Sequence, residues 1–300
     1  MLRFIYQVSG AAFTVQEAVM GIAAVFGQKL ASYLARPRYA ESSRSTFDIE
    51  KLRSVIKPGD VLLVEGTSRI STTIKYLTQS TWSHAAFYLG SFTSYEIRTL
   101  GIAYQIKENW PTEQESFSLL VEADILEGVR VVPLEEYRGL HTRICRPVGL
   151  MKRDLEQLRH FFLARIGHQY DLKNIVDLIR YLVIPPIPTP WRRAFLRLGS
   201  GDPTQAICSS LIAQGFQAIQ YPVLPRVSWI AWQDAKGVER REEILHKRDA
   251  SQYVPRDFDV SPYFQVVKPS IEAGFDLRDL HWARSEQNDQ AVVEQVEEGW

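Results

Sequence analysis

The feature of this sequence that most restricts its fold is a series of short apolar segments between residues 61 and 148, each bounded by turn residues. Pro58-Gly59-Asp60 forms a turn that feeds VLLVEG, a short buried-strand pattern starting at Val61. His84 to Leu89 follows as HAAFYL, then LLVEADI from Leu119 to Ile125, GVRVVPL from Gly128 and TRICRPV from Thr142. Helical patterns are kept apart from these runs. Thr67 to Gln79 sets Ile70, Ile74 and Leu77 on one face, and Lys152 to Ile166 is amphipathic. Asp171 to Leu182 is a further helical candidate, ended by Pro185-Pro186-Ile187-Pro188. Ala206 to Ile219 is also helical, with Cys208 in or near its first turn. Ser91 to Ser118 shows no clear pattern. Strands first and helices later predict an α+β domain, with a mostly antiparallel sheet packed against helices.

The flanking segments divide the chain. Residues 1–46 read as an apolar amphipathic helix and linker. Gln7, Thr14, Glu17, Gly21 and Gln28 form a narrow polar stripe, and Arg36-Pro37-Arg38 ends the helix. Its wide apolar face must be hidden against the domain, against a partner copy or against a lipid surface. Gln7, Gln16 and Glu17 break the apolar run, which argues against a secretory signal or a spanning helix. The ordered domain is expected from 47 to 282, and 283–300 is an acidic, mostly disordered tail. A cytoplasmic location follows, with membrane association through residues 4–34 as the second reading.

Lysine plus arginine balances aspartate plus glutamate at 35 each, so the chain has no net field suited to nucleic acid. The local basic candidate is Trp191-Arg192-Arg193 with Arg197. Two cysteines, Cys145 and Cys208, rule out a disulfide scaffold. There is no CxxC and no HExxH, and the six histidines are scattered, so neither a metal nor a cofactor is expected.

Three residues could carry chemistry. A cysteine at a helix start meets free backbone N–H groups and the positive end of the helix dipole, and both favour thiolate. If the helix began at Asp202, Cys208 would lie more than a turn inside and lose that benefit; a space-filling core cysteine is the alternative. His84 opens a strand and shares a face with Ala86 and Tyr88. It could serve as a base near neutral pH or be a satisfied, partly buried histidine. Glu122 sits inside LLVEADI, where a buried carboxylate needs a partner and an imidazole is a natural one. Simple alternation offers the other reading, with Val121 and Ala123 in the core and Glu122 and Asp124 in water. Together the three match the logic of nucleophile, base and orienting group.

PGDVLLVEG, SHAAFYLG, VEAD, GHQYD and ICSSLI occur here in that order. The sequence thereby resembles the YiiX/YebB-like group, circularly permuted relatives of the NlpC-type papain-fold hydrolases, with lecithin:retinol acyltransferase as a more distant cousin. The resemblance covers roughly Ile56 to Gln220. It implies a permuted papain-like fold with Cys208 as nucleophile, His84 as base and Glu122 as orienting group, with Asp124 and Asp60 as alternatives for the last role. Tyr170 and Asp171 would form a groove wall, and Trp82 and Ser209 would bind substrate beside them. The implied reaction opens an amide, ester or thioester through an acyl-enzyme. Implied substrates run from lipid or acylated molecules to cell-wall peptides, and a non-catalytic binding module on the same fold is the rival. A homo-oligomer is compatible with all of these. Cys145, in TRICRPV, reads as a core strand residue.

Overall fold

The computed structural model describes residues 48–102, 116–124, 127–168, 207–233, 236 and 238–279. The expected N-terminal helix, the 185–201 segment, the acidic tail, Tyr170 and Asp171 lie outside the described residues.

Six strands form one sheet: β1 (Val61–Glu65), β2 (His84–Phe92), β3 (Phe117–Asp124), β4 (Gly128–Pro133), β5 (His141–Pro147) and β8 (Phe264–Val267). Their order is β4-β3-β2-β1-β5-β8, and every pairing is antiparallel. The α+β expectation therefore holds, and the five apolar runs occupy five of the six strands. β1 is central because VLLV is apolar on both faces, and all four residues are buried.

Each face of the sheet has its own core. On one side Leu62, Val64, Ala86, Tyr88, Leu120 and Ile144 pack under α1 (Ile49–Val55) and the short 3-10 turn Leu134–Tyr137. On the other, Leu63, Phe87, Leu119 and Val121 meet α4 (Lys152–Leu163) and α5 (Ile207–Ala218) through Leu158, Phe162, Leu211, Ile212 and Phe216. α5 lies across β2 and β3. It can settle beside α4 only because residue 215 is glycine: a Cβ there would come within 2.7 Å of the Phe162 ring, which is fully buried. Gly215 thus helps set the height of the cysteine-bearing helix above the sheet.

The sequence reading overlooked several elements. α1 lies at the start of the domain, and α3 (Ser94–Thr99), the next helix after α2 (Arg69–Thr78), falls in the stretch without clear pattern. α3 does carry a signal, because Thr93 and Glu96 form a reciprocal capping box. β8 has four residues, too few to show alternation. β6 (Arg226–Gln233) and β7 (Glu239–His246) make a separate exposed hairpin, followed by α6 (Pro255–Asp259). No helix among the described residues is long and apolar enough to cross a membrane.

Candidate active site

The candidate site lies at one end of the sheet. His84 is the first residue of β2, and Glu122 and Arg130 are paired in register on β3 and β4. Phe87 pairs with Val121, so that register continues to put Ala86 opposite Glu122, with His84 as Glu122's diagonal neighbour on the same face. The imidazole Nε2 lies 2.5 Å from Glu122 Oε2. Tyr137 donates its hydroxyl to that same oxygen at 2.5 Å. Arg130 occupies Oε1, with Nε at 2.8 Å and Nη2 at 2.6 Å. Every strong acceptor position of Glu122 is thus engaged, and its side chain is only 5% exposed. The reading that alternation turns Glu122 to water is overturned. β3 is covered on both faces, so alternation along it does not separate core from solvent.

Cys208 stands over the other face, in the first turn of α5 as described, and is buried. Being the terminal residue of its strand, His84 can meet Glu122 below the sheet end and Cys208 above it. Burial alone would press the imidazole toward neutrality. The sulfur of Cys208 and the Glu122 carboxylate outweigh it, by charge and by hydrogen bonding, and hold the imidazole well above its ordinary range. Burial also works against the thiolate, yet the Cys208 thiol is lowered below its usual value. The facing imidazolium and hydrogen bonds from the backbone N–H groups of Ala85 and Ser209 are responsible. Glu122 is likewise held below the carboxylate range, because His84, Arg130 and the Tyr137 hydroxyl override the effect of burial. Tyr137 moves the opposite way: burial and the adjacent Glu122 charge push its phenol well up, so it stays a donor. With Nε2 on the carboxylate, Nδ1 is the ring nitrogen left for sulfur. The arrangement favours a thiolate facing an imidazolium, with the imidazole anchored by a carboxylate that is itself held by arginine and tyrosine.

The other candidates are placed elsewhere. Asp60 accepts from Arg146 at 2.8 and 2.9 Å and from the Lys57 N–H, away from His84. Asp124 accepts from the Glu127 N–H in the β3–β4 turn. Neither orients the imidazole. Trp82 and Ser209, expected to bind substrate, are buried, at 2% and 0% exposure. Trp82 is held by Asp259 through its Nε1–H and lies under Arg143, while Ser209 donates to the Tyr253 carbonyl at 2.8 Å. Cys145 is fully buried on β5, where burial pushes its thiol up and keeps it inert. Arg130 and Tyr137 went unnoticed in the sequence. Arg130 had a retrievable signal, since it is the charged residue in the β4 run that faces Glu122 across a short turn.

No family model matches the chain, and no curated protein sequence matches it. Among solved structures it is similar to the crystal structure of the metalloprotein YiiX from Escherichia coli O157:H7, labelled DUF1105. That similarity has 13% identity and a TM-score of 0.39, over 71% of this chain and 96% of that one. Among the described residues of this chain, no group of three or more His, Cys, Asp and Glu side chains could hold a metal ion.

Proposed function

We propose that the chain is a thiol hydrolase or acyltransferase, built on a permuted papain-like fold, that opens amide, ester or thioester bonds through an acyl-enzyme on Cys208. The observation that carries this reading is geometric: His84 stands between the Glu122 carboxylate, 2.5 Å from its Nε2, and Cys208 in the first turn of α5, and the lowered thiol and raised imidazole accord with that placement. A buried structural cysteine shows the reverse, as Cys145 does.

The Cys208 thiolate attacks the carbonyl carbon and forms a C–S bond, while the carbonyl π electrons move to oxygen. Backbone N–H groups at the start of α5 receive the oxyanion. His84, as imidazolium, delivers its proton to the departing nitrogen, oxygen or sulfur as the tetrahedral adduct collapses to the acyl-enzyme. Neutral His84 then takes a proton from water, or from an acceptor hydroxyl or amine, which attacks the thioester and restores the thiolate–imidazolium pair. Glu122 keeps the ring oriented throughout and balances the imidazolium charge.

Intact-mass detection after exposure to peptide, aryl-ester and phospholipid substrates tests the reading and sorts the substrate class. An acyl increment on wild type that is absent from Cys208→Ala supports it. No increment from any of the three classes, with Cys208→Ala retaining its function in cells, would favour a binding module instead.

A further inference from the structure

α2 joins β1 to β2 at the sheet end that carries His84. Its last turn closes on one carbonyl: Gln79, with φ at 48°, and Ser80 both donate their N–H groups to Lys75 O. Around this turn lies a cavity of about 700 Å³, whose lining includes Glu65, Lys75, Tyr76, Gln79, Ser80 and Thr81. A volume of that size takes a small-molecule ligand. Lys75 donates to Glu65 Oε1 at 3.1 Å, and the two side chains keep 25% and 15% exposure. Burial pushes the Glu65 carboxyl up, but His141 and Lys75 outweigh it and keep the group ionised at neutral pH. His141 holds the other carboxylate oxygen, Oε2, at 3.0 Å.

An ion pair open to a cavity restricts what the cavity can accept. A lone anion would take Lys75 from Glu65, and a lone cation would take Glu65 from Lys75. Each leaves a half-buried charge without its counter-charge, which is costly. A head that carries both charges engages both residues at once and leaves neither uncompensated. Opening the pair itself costs little, because water reaches and screens it. Lys75 and Glu65 touch, so the ligand's two charges must also be close, as an ammonium and a carboxylate on one carbon are. The place of the cavity is informative too. Val64 is the register partner of His84, and Glu65 is the next residue, so the two backbones are about 6 Å apart. Glu65 has the parity of Val61 and Leu63, which pack on the Cys208 side of the sheet.

We propose that this cavity is a subsite for an α-amino-acid head, with the ligand's carboxylate on Lys75, its ammonium on Glu65 and the hydroxyls of Ser80 and Thr81 beside it. Binding of the head stands on the cavity alone; its use as a substrate subsite rests on the reading of Cys208 as nucleophile. On that reading the α-ammonium and α-carboxylate both stay free, so the bond that is opened is one the amino acid makes through its side chain. Nε-acyl-lysine and γ-glutamyl amides belong to that class. A lysine side chain reaching from the head toward His84 spans a gap of the size set by the two strands.

Full-length chain carrying Cys208→Ala supplies the test, because it binds without turnover. Titration calorimetry is expected to show binding of Nε-acetyl-lysine. Acetylating the α-amine of that probe, or amidating its α-carboxylate, is expected to weaken it about tenfold or more, since each removes a charge-assisted bond. Lys75→Met in the same background should weaken the parent probe by a like factor and leave the α-amidated probe unchanged. Should Lys75→Met fail to fold by circular dichroism, the blocked probes decide, since they need no change in the cavity. No binding of the parent probe, or equal binding of the blocked ones, overturns the proposal. So does tighter binding of phosphoethanolamine, which would assign the cavity to a lipid head. If the wild type forms no acyl adduct while the free head still binds selectively, the reading of Cys208 fails and the subsite stands. An adduct on Cys208 without selectivity for the head strikes the subsite alone.

Discussion

Two histidine–glutamate pairs sit at the same end of the sheet, and they are built alike. Glu122 gives Oε2 to His84 and Oε1 to Arg130; Glu65 gives Oε2 to His141 at 3.0 Å and Oε1 to Lys75 at 3.1 Å. Each carboxylate is held below its ordinary range by its cation and its imidazole, against the effect of burial. Three differences separate the pairs. Glu122 is the more deeply buried, at 5% side-chain exposure against 15% for Glu65. Glu122 also receives a tyrosine hydroxyl. Most importantly, His84 faces a thiol, whereas the ring of His141 stacks against Trp82 at 5.0 Å. A carboxylate hydrogen-bonded to an imidazole therefore occurs twice at this sheet end. Only at His84 does a helix start bring sulfur to the far side of the ring, and the proposed catalytic role rests on that difference.

Substitutions can break or sharpen that contrast. The largest effect is expected from Cys208→Ala or His84→Ala, each costing about 10⁴-fold or more in turnover of an acyl substrate. The double variant should be little worse than either single one, since the two groups act as a unit. Next comes Glu122→Gln, with a loss of about 10²- to 10⁴-fold. Its pH profile should move in a defined direction. The thiolate–imidazolium pair exists above the lowered thiol pKa and below the raised imidazole pKa, so activity fills the window between them. Removing the Glu122 charge lowers the imidazole pKa, and the alkaline limb should shift to lower pH. Glu65→Gln should move neither limb. Stability offers a parallel reading. Glu122 has a depressed folded pKa, so its contribution is present above the unfolded value of about 4.3 and is lost as pH falls through the folded one. The Glu122→Gln variant should show a weaker acid dependence of unfolding between those limits.

A smaller effect is expected from Gly215→Val, which would press a side chain onto Phe162 and lift α5. Thermal or urea unfolding should report a loss of about 1–3 kcal/mol, with turnover falling as Cys208 withdraws from His84. Tyr137→Phe removes one donor from a buried carboxylate that keeps its arginine. A destabilisation of about 1–3 kcal/mol, with a lesser loss of rate than Glu122→Gln, is the expected outcome. Least affected should be His141→Ala, at about twofold or less in rate; a loss matching that of His84→Ala would erase the contrast between the pairs.

The sequence made some of this legible and hid the rest for physical reasons. Strands β1 to β5 showed through because apolar runs closed by turns leave few other folds. Cys208, His84 and Glu122 were visible as residues at odds with their surroundings: a thiol at a helix start, an imidazole opening a strand, a carboxylate in an apolar run. Tyr137 was not. It lies in a short 3-10 turn, and its hydroxyl reaches Glu122 across the fold, a contact no local pattern encodes. Trp82 lies two positions before His84, outside β2, and packs in the core on the Cys208 side of the sheet, a placement that strand alternation from His84 does not give. The hairpin escaped notice because the apolar residues of β6 fall on both of its faces and β7 is charged except at Ile244 and Leu245, so neither the period of a helix nor the alternation of a half-buried strand is present.

The central claim is that Cys208 is a thiolate because His84 is an imidazolium. Thiolate absorbance near 240 nm, followed against pH and corrected with Cys208→Ala, measures this without requiring a reagent to reach the buried sulfur. Wild type should titrate well below the ordinary thiol value of about 8.5, and His84→Ala should titrate at or above it. Identical titrations in the two proteins, or a wild-type thiol that ionises only above its ordinary value, would contradict the account.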